Sequence, residues 1–482
     1  MKSNNNNGRY MKMEMMINSQ KITGNERMEV LNPYDNTVVD TIPLADQKTV
    51  YDAIKSAKNA RQDINKLTSR QVYYSLHDAC EQLRQNRKKI ARTITQETGK
   101  PINASYYELD RSIETLIFAA EESKRIYGEN VPIDAGLGGQ DVMAFTKKIP
   151  LGTVAAITPF NYPVNLAIHK LAPALAAKNT VILKPSSQAP LSGLMLAHIL
   201  AEHFPHGVVN TLTGTGKIIG DILVTHDDVN KISFTGSVPV GRQIAKNACM
   251  KKVTLELGGN DPTIVLESAD IDKAVEEVAN GAYLFSGQVC MGVKRIIVES
   301  KIIDEFTDKL VKKTNKLKVG NPMDKNTDIG PLINHEAAEK VNRLVEDAKA
   351  NGATVEAGGK MEANFYWPTV ISRVNEEMEL VKNETFGPVA PIIEVHDIDE
   401  AIRMANNTPY GLNAGVFTEN IHEALKCVNM IESGSVFVNK ASTFRTDNMP
   451  FGGFKNSGTG KEGIKYAVED MTRTKLIGFN LN

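Results

Sequence analysis

The period of apolar positions changes along the chain. Between residues 50 and 127, segments such as Val50–Ala60 and Arg111–Tyr127 place apolar side chains at helical spacing with charges between them. From Gly152 to Gly259, short β-rich apolar runs alternate with longer helical ones. This pattern predicts strands at Val154–Thr158, Thr180–Lys184, Val208–Leu212, Lys231–Phe234 and Lys252–Glu256. It predicts helices near Asn165–Ala177, Leu191–His203, Lys217–Val224 and Val240–Ala248. Each strand is nearly uniformly apolar rather than alternating, which suits burial on both faces of a parallel sheet. Repeated units of this kind predict an α/β fold with a doubly wound parallel-sheet domain.

A second α/β domain follows Gly259. Asp270–Phe285 and Lys301–Leu317 read as helices, and Arg295–Glu299, Val389–Val395, Ala414–Phe417 and Ser435–Asn439 as strands. Two stretches, Val142–Ile149 and Thr472–Phe479, read as extended arms that belong to neither core. Residues 1–16 carry the polar run Asn4–Asn7 and closely spaced methionines, and read as a disordered tail.

Composition narrows the functional classes. A formal net charge of -1 supplies no general drive toward nucleic acid or an anionic membrane, so neither is expected as a partner. No apolar run approaches the roughly 18 residues of a membrane helix, and the first residues lack the apolar core of a secretory signal. The four cysteines, Cys80, Cys249, Cys290 and Cys427, form no CxxC pair. That argues against a zinc ribbon or disulfide framework and for a reducing cytoplasm. The histidines show no metal-ligand spacing, and no metal is expected. Cys80, Cys249 and Cys427 sit in helical contexts and read as small buried hydrophobes.

In an open parallel sheet, ligands bind beyond the carboxyl ends of the strands. There the chain places Thr158-Pro159-Phe160-Asn161, Lys184-Pro185-Ser186-Ser187, Gly214-Thr215-Gly216 with Gly220, Phe234-Thr235-Gly236-Ser237 and Glu256-Leu257-Gly258-Gly259. Glycines, hydroxyls, an amide, an amine and a carboxylate therefore share one edge. Gly236-Ser237-Val238-Pro239-Val240-Gly241 follows a strand and opens a helix, which suits either a pyrophosphate or an ordinary turn. Gly214 to Gly220 is one residue too long for the GxGxxG fingerprint and reads as a second, weaker loop on the adenosine side. Lys184 either snorkels to solvent or donates to ribose hydroxyls. Cys290, after the small lead-in Ser286-Gly287-Gln288-Val289, is either a buried thiol or one exposed at a domain junction.

The runs Thr158–Asn161, Lys184-Pro185, Phe234–Ser237, Leu255–Gly259, Gly287–Cys290, Glu384–Pro388 and Pro450–Gly458 occur in an order that resembles the aldehyde dehydrogenase family. The resemblance covers the chain from about residue 17 to its end. It implies that Cys290 is the nucleophile, Glu256 the general base, and Asn161 an oxyanion donor beside the backbone N–H of Cys290. It implies that Glu384 holds the nicotinamide ribose, with Phe386 packed nearby, and that NAD or NADP is the cofactor. An NAD(P)-binding domain at residues 17–128 and 150–254, a catalytic domain at 255–466 and oligomerisation arms at 129–149 and 467–482 follow, as does a homo-oligomer, dimer or tetramer. Glu256 favours hydrolysis to a free acid over acyl transfer to coenzyme A. Ser187 stands where many NAD-preferring members carry a glutamate, which permits NADP without excluding NAD. The runs Phe160–Leu166 and Phe444–Phe451 resemble archaeal lactaldehyde dehydrogenases and non-phosphorylating glyceraldehyde-3-phosphate dehydrogenases, a likeness that also implies a setting in deazaflavin coenzyme biosynthesis. Arg111, Tyr162 and Arg445 then become substrate-pocket groups. Val289 replaces the arginine that phosphate-using relatives place before the nucleophile, which favours a small uncharged aldehyde such as lactaldehyde over glyceraldehyde 3-phosphate or succinate semialdehyde.

Overall fold

A computed structural model describes residues 13–24 and 26–482. Two large sheets carry the molecule. The first is eight-stranded, in the order Gln20–Ile22, Met15–Ile17, Val209–Thr211, Thr180–Lys184, Thr153–Ile157, Lys231–Thr235, Lys252–Glu256, Gly458–Thr459. Its five central strands run parallel. Thr153–Ile157, Thr180–Lys184 and Lys231–Thr235 are buried along their whole lengths, as their unbroken apolar runs predicted. Helices cover both faces. Ser69–Gln85, Ile102–Glu122, Asn165–Ala176 and Leu191–Glu202 pack on one side, and Gln47–Lys66, Gly216–Thr225 and Val238–Asn247 on the other. Every residue of Asn165–Ala176 is buried, so this helix shows no amphipathic stripe.

The strand order reverses between Thr153–Ile157 and Lys231–Thr235. From the first of these the chain winds outward through Thr180–Lys184 to Val209–Thr211, and from the second through Lys252–Glu256 the other way. Such a reversal opens a crevice at the strands' carboxyl ends. The second, seven-stranded sheet has the order Thr354–Ala357, Thr369–Ser372, Val389–Val395, Arg295–Glu299, Pro262–Val265, Asn413–Phe417, Ser435–Val438. It too is covered on both faces. The arm strands pair with each other, Thr472–Asn480 antiparallel to Val142–Pro150, in a separate three-stranded sheet with Asn130–Val131.

Three expectations are corrected. Met13 to Met16 are folded, not tail: Met15 is fully buried, and the Met16 N–H donates to Thr211 Oγ1 at 2.8 Å. Residues 1–12 of that expected tail lie outside the described residues. The helix expected to reach Phe285 stops at Tyr283, because Phe285 and Ser286 take left-handed backbone angles (φ 46° and 53°). Cys249 is exposed rather than buried, having left the end of helix Val238–Asn247 with φ 51°.

Candidate active site

A cavity of about 430 Å³ lies at the strand reversal. Of the residues expected to hold the cofactor, Thr158, Pro159, Lys184, Ser187, Gly220, Phe234, Thr235, Gly236, Ser237 and Val240 line it. Two helices open onto it, Gly216–Thr225 and Val238–Asn247. Neither Thr215 nor Ser237, their N-caps, bonds a backbone N–H with its side chain. Free N–H groups and positive helix ends suit a pyrophosphate. The hydroxyls of Thr158 and Thr235 are buried without a hydrogen-bond partner. A buried hydroxyl normally finds one, so these two are open to a ligand. Lys184 finds only the Pro185 carbonyl, at 3.1 Å, and burial pushes its ammonium down to about 8. At Gly236 a Cβ would meet the Phe234 ring at 2.4 Å, so only glycine keeps the turn. These groups fit a dinucleotide.

The remaining predicted cofactor residues fall elsewhere. Gly214 faces Leu44, Ala45 and Ile219, and Gly216 lines the cavity in its place. Gly241 and Leu257 pack against each other, since a Cβ on Gly241 would lie 2.5 Å from the Leu257 side chain. Val238 and Pro239 form the first helical turn without lining the cavity. Phe160 and Phe386 meet edge to face at 6.0 Å, and Glu384 lies near Gly258 and Gly259, next to the nucleophile segment. Sequence reading missed Asp221, Gln243 and Asn247, which also line the cavity. Helical spacing from Val240 gave the signal for Gln243 and Asn247.

The nucleophile segment is held by three successive left-handed residues, Phe285, Ser286 and Gly287. Two non-glycine residues in that region cost of order 1–3 kcal/mol each and need surroundings that enforce them. Ser286 donates to the Gly330 carbonyl at 2.8 Å, and the Ile333 N–H donates to the Gln288 side chain at 2.9 Å. A Cβ on Gly287 would come 2.0 Å from the Gly387 carbonyl, so glycine is obligatory. Cys290 emerges from this turn beside Phe160, Tyr162 and Phe451. It keeps some surface access, yet protein encloses its sulfur, and burial pushes the thiol up to about 12 against the pull of Lys294 and Arg445.

Asn161 Nδ2 donates to the Gln288 carbonyl at 2.9 Å, two residues before Cys290. An amide nitrogen carries two hydrogens, so one remains to donate. Glu256 ends its strand fully enclosed, and neither carboxylate oxygen has a partner. Burial first, then the charge of Glu462, raises its carboxyl well above the usual range. Gly259, three residues on, lies so close that a Cβ would meet the Cys290 carbonyl at 2.7 Å. The segments that carry Cys290, Asn161 and Glu256 thus meet between the two sheets.

The predicted substrate-pocket cations are already paired. Arg111 grips Asp447 through two bonds, 2.6 and 3.0 Å, and His169 shares the same carboxylate at 2.8 Å. Arg445 donates to Glu462 at 3.0 Å, and Lys170 donates to Glu462 at 2.8 Å. Burial opposes charge on Glu462, but Lys170, His169 and Arg445 outweigh it and hold the carboxyl below its usual range. His169, Lys170, Asp447 and Glu462 escaped sequence reading, because charged residues on apolar helices or in loops carry no periodic signal.

Residues 20–477 match the model of the aldehyde dehydrogenase family. The chain belongs to this family. It is 44% identical to a lactaldehyde dehydrogenase of Methanococcus aeolicus over 97% of this chain and 100% of the relative. It is also 44% identical to a 3-sulfolactaldehyde dehydrogenase of Priestia megaterium, over 97% and 98% of the two chains. A glyceraldehyde-3-phosphate dehydrogenase from Methanocaldococcus jannaschii, solved with NADP, superposes with a TM-score of 0.91 at 41% identity, covering 95% of this chain and 100% of that one. This aldehyde dehydrogenase is therefore an NAD(P)-dependent oxidoreductase with two doubly covered α/β sheets.

Proposed function

We propose that the enzyme oxidises lactaldehyde to lactate through a covalent intermediate on Cys290. What supports this reading is the approach of the segments: Asn161 bonds the backbone two residues before the Cys290 thiol, and the strand that carries the unpartnered Glu256 carboxyl runs on to Gly259, where a Cβ would meet the Cys290 carbonyl at 2.7 Å. The Cys290 thiol gives its proton to water, and the thiolate adds to the aldehyde carbon. The oxygen that becomes an alkoxide meets the free hydrogen of Asn161 Nδ2 and the backbone N–H of Cys290, and loss of one such donor typically costs about 3 kcal/mol. Glu384 and Phe386 would hold the nicotinamide end of NAD(P), which when bound would supply the hydride acceptor. Glu256, once ionised, takes a proton from the water that cleaves the resulting thioester. Thr158, Lys184, Thr235 and the Gly236-Ser237 turn with the helix it opens would hold the adenosine and pyrophosphate parts of NAD or NADP, and the part-exposed Ser187 leaves room for a 2′-phosphate.

Two points favour a neutral substrate. Relatives named as lactaldehyde dehydrogenases match over nearly the whole chain. Arg111 and Arg445 also already face Asp447 and Glu462, which leaves neither guanidinium as an uncompensated cradle for phosphate. The domain division stays as the resemblance implied, with the cofactor domain extended back to residue 13. Exposed Ile421, Leu425, Val428 and Met430 on one helix, with Leu476 and Phe479 on an arm strand, support a homodimer or homotetramer. Four unpaired cysteines support a cytoplasmic setting. The test is kcat/KM for lactaldehyde, glyceraldehyde 3-phosphate, succinate semialdehyde and 3-sulfolactaldehyde with each cofactor. Lactaldehyde is expected to lead, and a phosphorylated or sulfonated aldehyde in first place would reject the substrate assignment.

A further inference from the structure

Lys294 immediately precedes the strand Arg295–Glu299, and nothing in its sequence setting singled it out. Its side chain is 3% exposed. An ammonium has three N–H donors, and here each finds an acceptor. Lys294 Nζ donates to the Cys290 carbonyl at 2.5 Å, the Gly259 carbonyl at 2.9 Å and Glu384 Oε1 at 2.9 Å. The same nitrogen stands 5.8 Å from the centre of the Phe386 ring. A Cβ on Gly258 would lie 2.4 Å from Glu384 Oε2, so glycine there lets the carboxylate sit against the strand end that carries Glu256. One buried cation therefore touches the backbone of the thiol segment, the loop that follows the Glu256 strand and the carboxylate of Glu384.

We propose that Lys294 is a positioning residue that ties Glu384 to the backbone of Cys290, so that one ammonium governs both the nicotinamide-ribose end of the site and the reactivity of the thiol. This rests on the reading of Cys290 as nucleophile and Glu384 as ribose ligand. The charged groups that face the sulfur are Lys294, Arg445, Asp261 and Glu384, amid the apolar Phe285, Val289, Met291, Leu412 and Phe451. Burial pushes Asp261 up to about 8, so it carries little charge near neutral pH. Lys294 favours the thiolate and Glu384 opposes it. Removing the cation and removing its anion must then act on the thiol in opposite directions. Loss of packing alone has no reason to produce opposite signs.

The experiment is alkylation of Cys290 by iodoacetamide, without cofactor, in a Cys249→Ser background that removes the exposed thiol. Cys80 and Cys427 are buried and are monitored by peptide mapping. At about pH 8, Lys294→Met is expected to slow alkylation roughly three- to tenfold, and Glu384→Gln to speed it by a similar factor, as a shift of up to about one pKa unit implies. Lys294→Arg keeps the charge and is expected to stay within roughly threefold of the parent. Fluorescence titration should show weaker NAD(P) binding in both Lys294→Met and Glu384→Gln. Rates that move in the same direction, or that move by less than about twofold, overturn the coupling. If Lys294→Met does not fold, Glu384→Gln decides alone, and failure to accelerate overturns it. Turnover by Cys290→Ala would instead overturn the nucleophile reading, which the alkylation ratio leaves untouched.

Discussion

The cofactor cavity and the catalytic junction lie on the same sheet edge but are built from opposite materials. The cavity is lined by glycines, uncapped helix ends and free hydroxyls around a single buried lysine. It offers backbone donors and space, and no buried carboxylate opposes an incoming anion there. The junction is crowded with ionisable groups forced into awkward states. Enclosure pushes the Cys290 thiol and the Glu256 carboxyl up, while Lys170, Arg445, His169 and Arg111 hold Glu462 and Asp447 below the usual carboxylate range. A binding surface needs preformed complementarity, whereas a reacting surface needs groups whose protonation can change during the cycle.

The sharpest way to separate the two regions is Cys290→Ala. Oxidation should fall by more than about a thousandfold, while NAD(P) affinity by fluorescence titration stays near that of the parent. Residual turnover above that level would move the chemistry elsewhere. Next in size is Glu256→Gln, expected to slow thioester hydrolysis by about 10²–10³-fold. It should leave a stoichiometric burst of reduced nicotinamide ahead of a slow steady state; a steady state at the parent rate removes Glu256 from the hydrolytic step.

A pH profile probes the same enclosure. Both Cys290 and Glu256 have pKa values raised in the folded enzyme, so their reactive, deprotonated forms grow as pH rises. While one such group limits the rate, kcat/KM should climb by up to about tenfold per pH unit above neutrality. A maximum on the acid side of neutrality would contradict the upward push that burial exerts on Cys290. The smallest effect belongs to the cavity: Ser187→Glu places a carboxylate on its rim and should weaken NADP relative to NAD by about tenfold, or 1.4 kcal/mol. Equal loss for both cofactors would show that Ser187 does not face the 2′ position.

Some of this was legible without coordinates. Uniform apolar runs fixed the parallel strands of the cofactor sheet to within a residue or so, because both faces are covered and no polar alternation is tolerated. The strand Pro262–Val265, central in the second sheet, was missed because its short run follows Gly258-Gly259 and merged with that turn. Met15 to Ile22 was missed because a short edge hairpin gets its burial from distant residues such as Thr211, not from its own pattern.

The order of residue types along the chain determined the doubly wound fold and the strand-end chemistry, since those follow from local period and from which atoms each side chain carries, while the choice of Cys290, Asn161 and Glu256 among them came from the resemblance to the aldehyde dehydrogenase family. Only the folded structure decided which of them share a site. Glu384 comes to Lys294 from far along the chain, Asp447 neutralises Arg111 across the molecule, and Gly214 turns away while Gly216 lines the cavity. Charge, enclosure and hydrogen-bond partnership are properties of a side chain's neighbours in space, and packing of distant segments sets those neighbours.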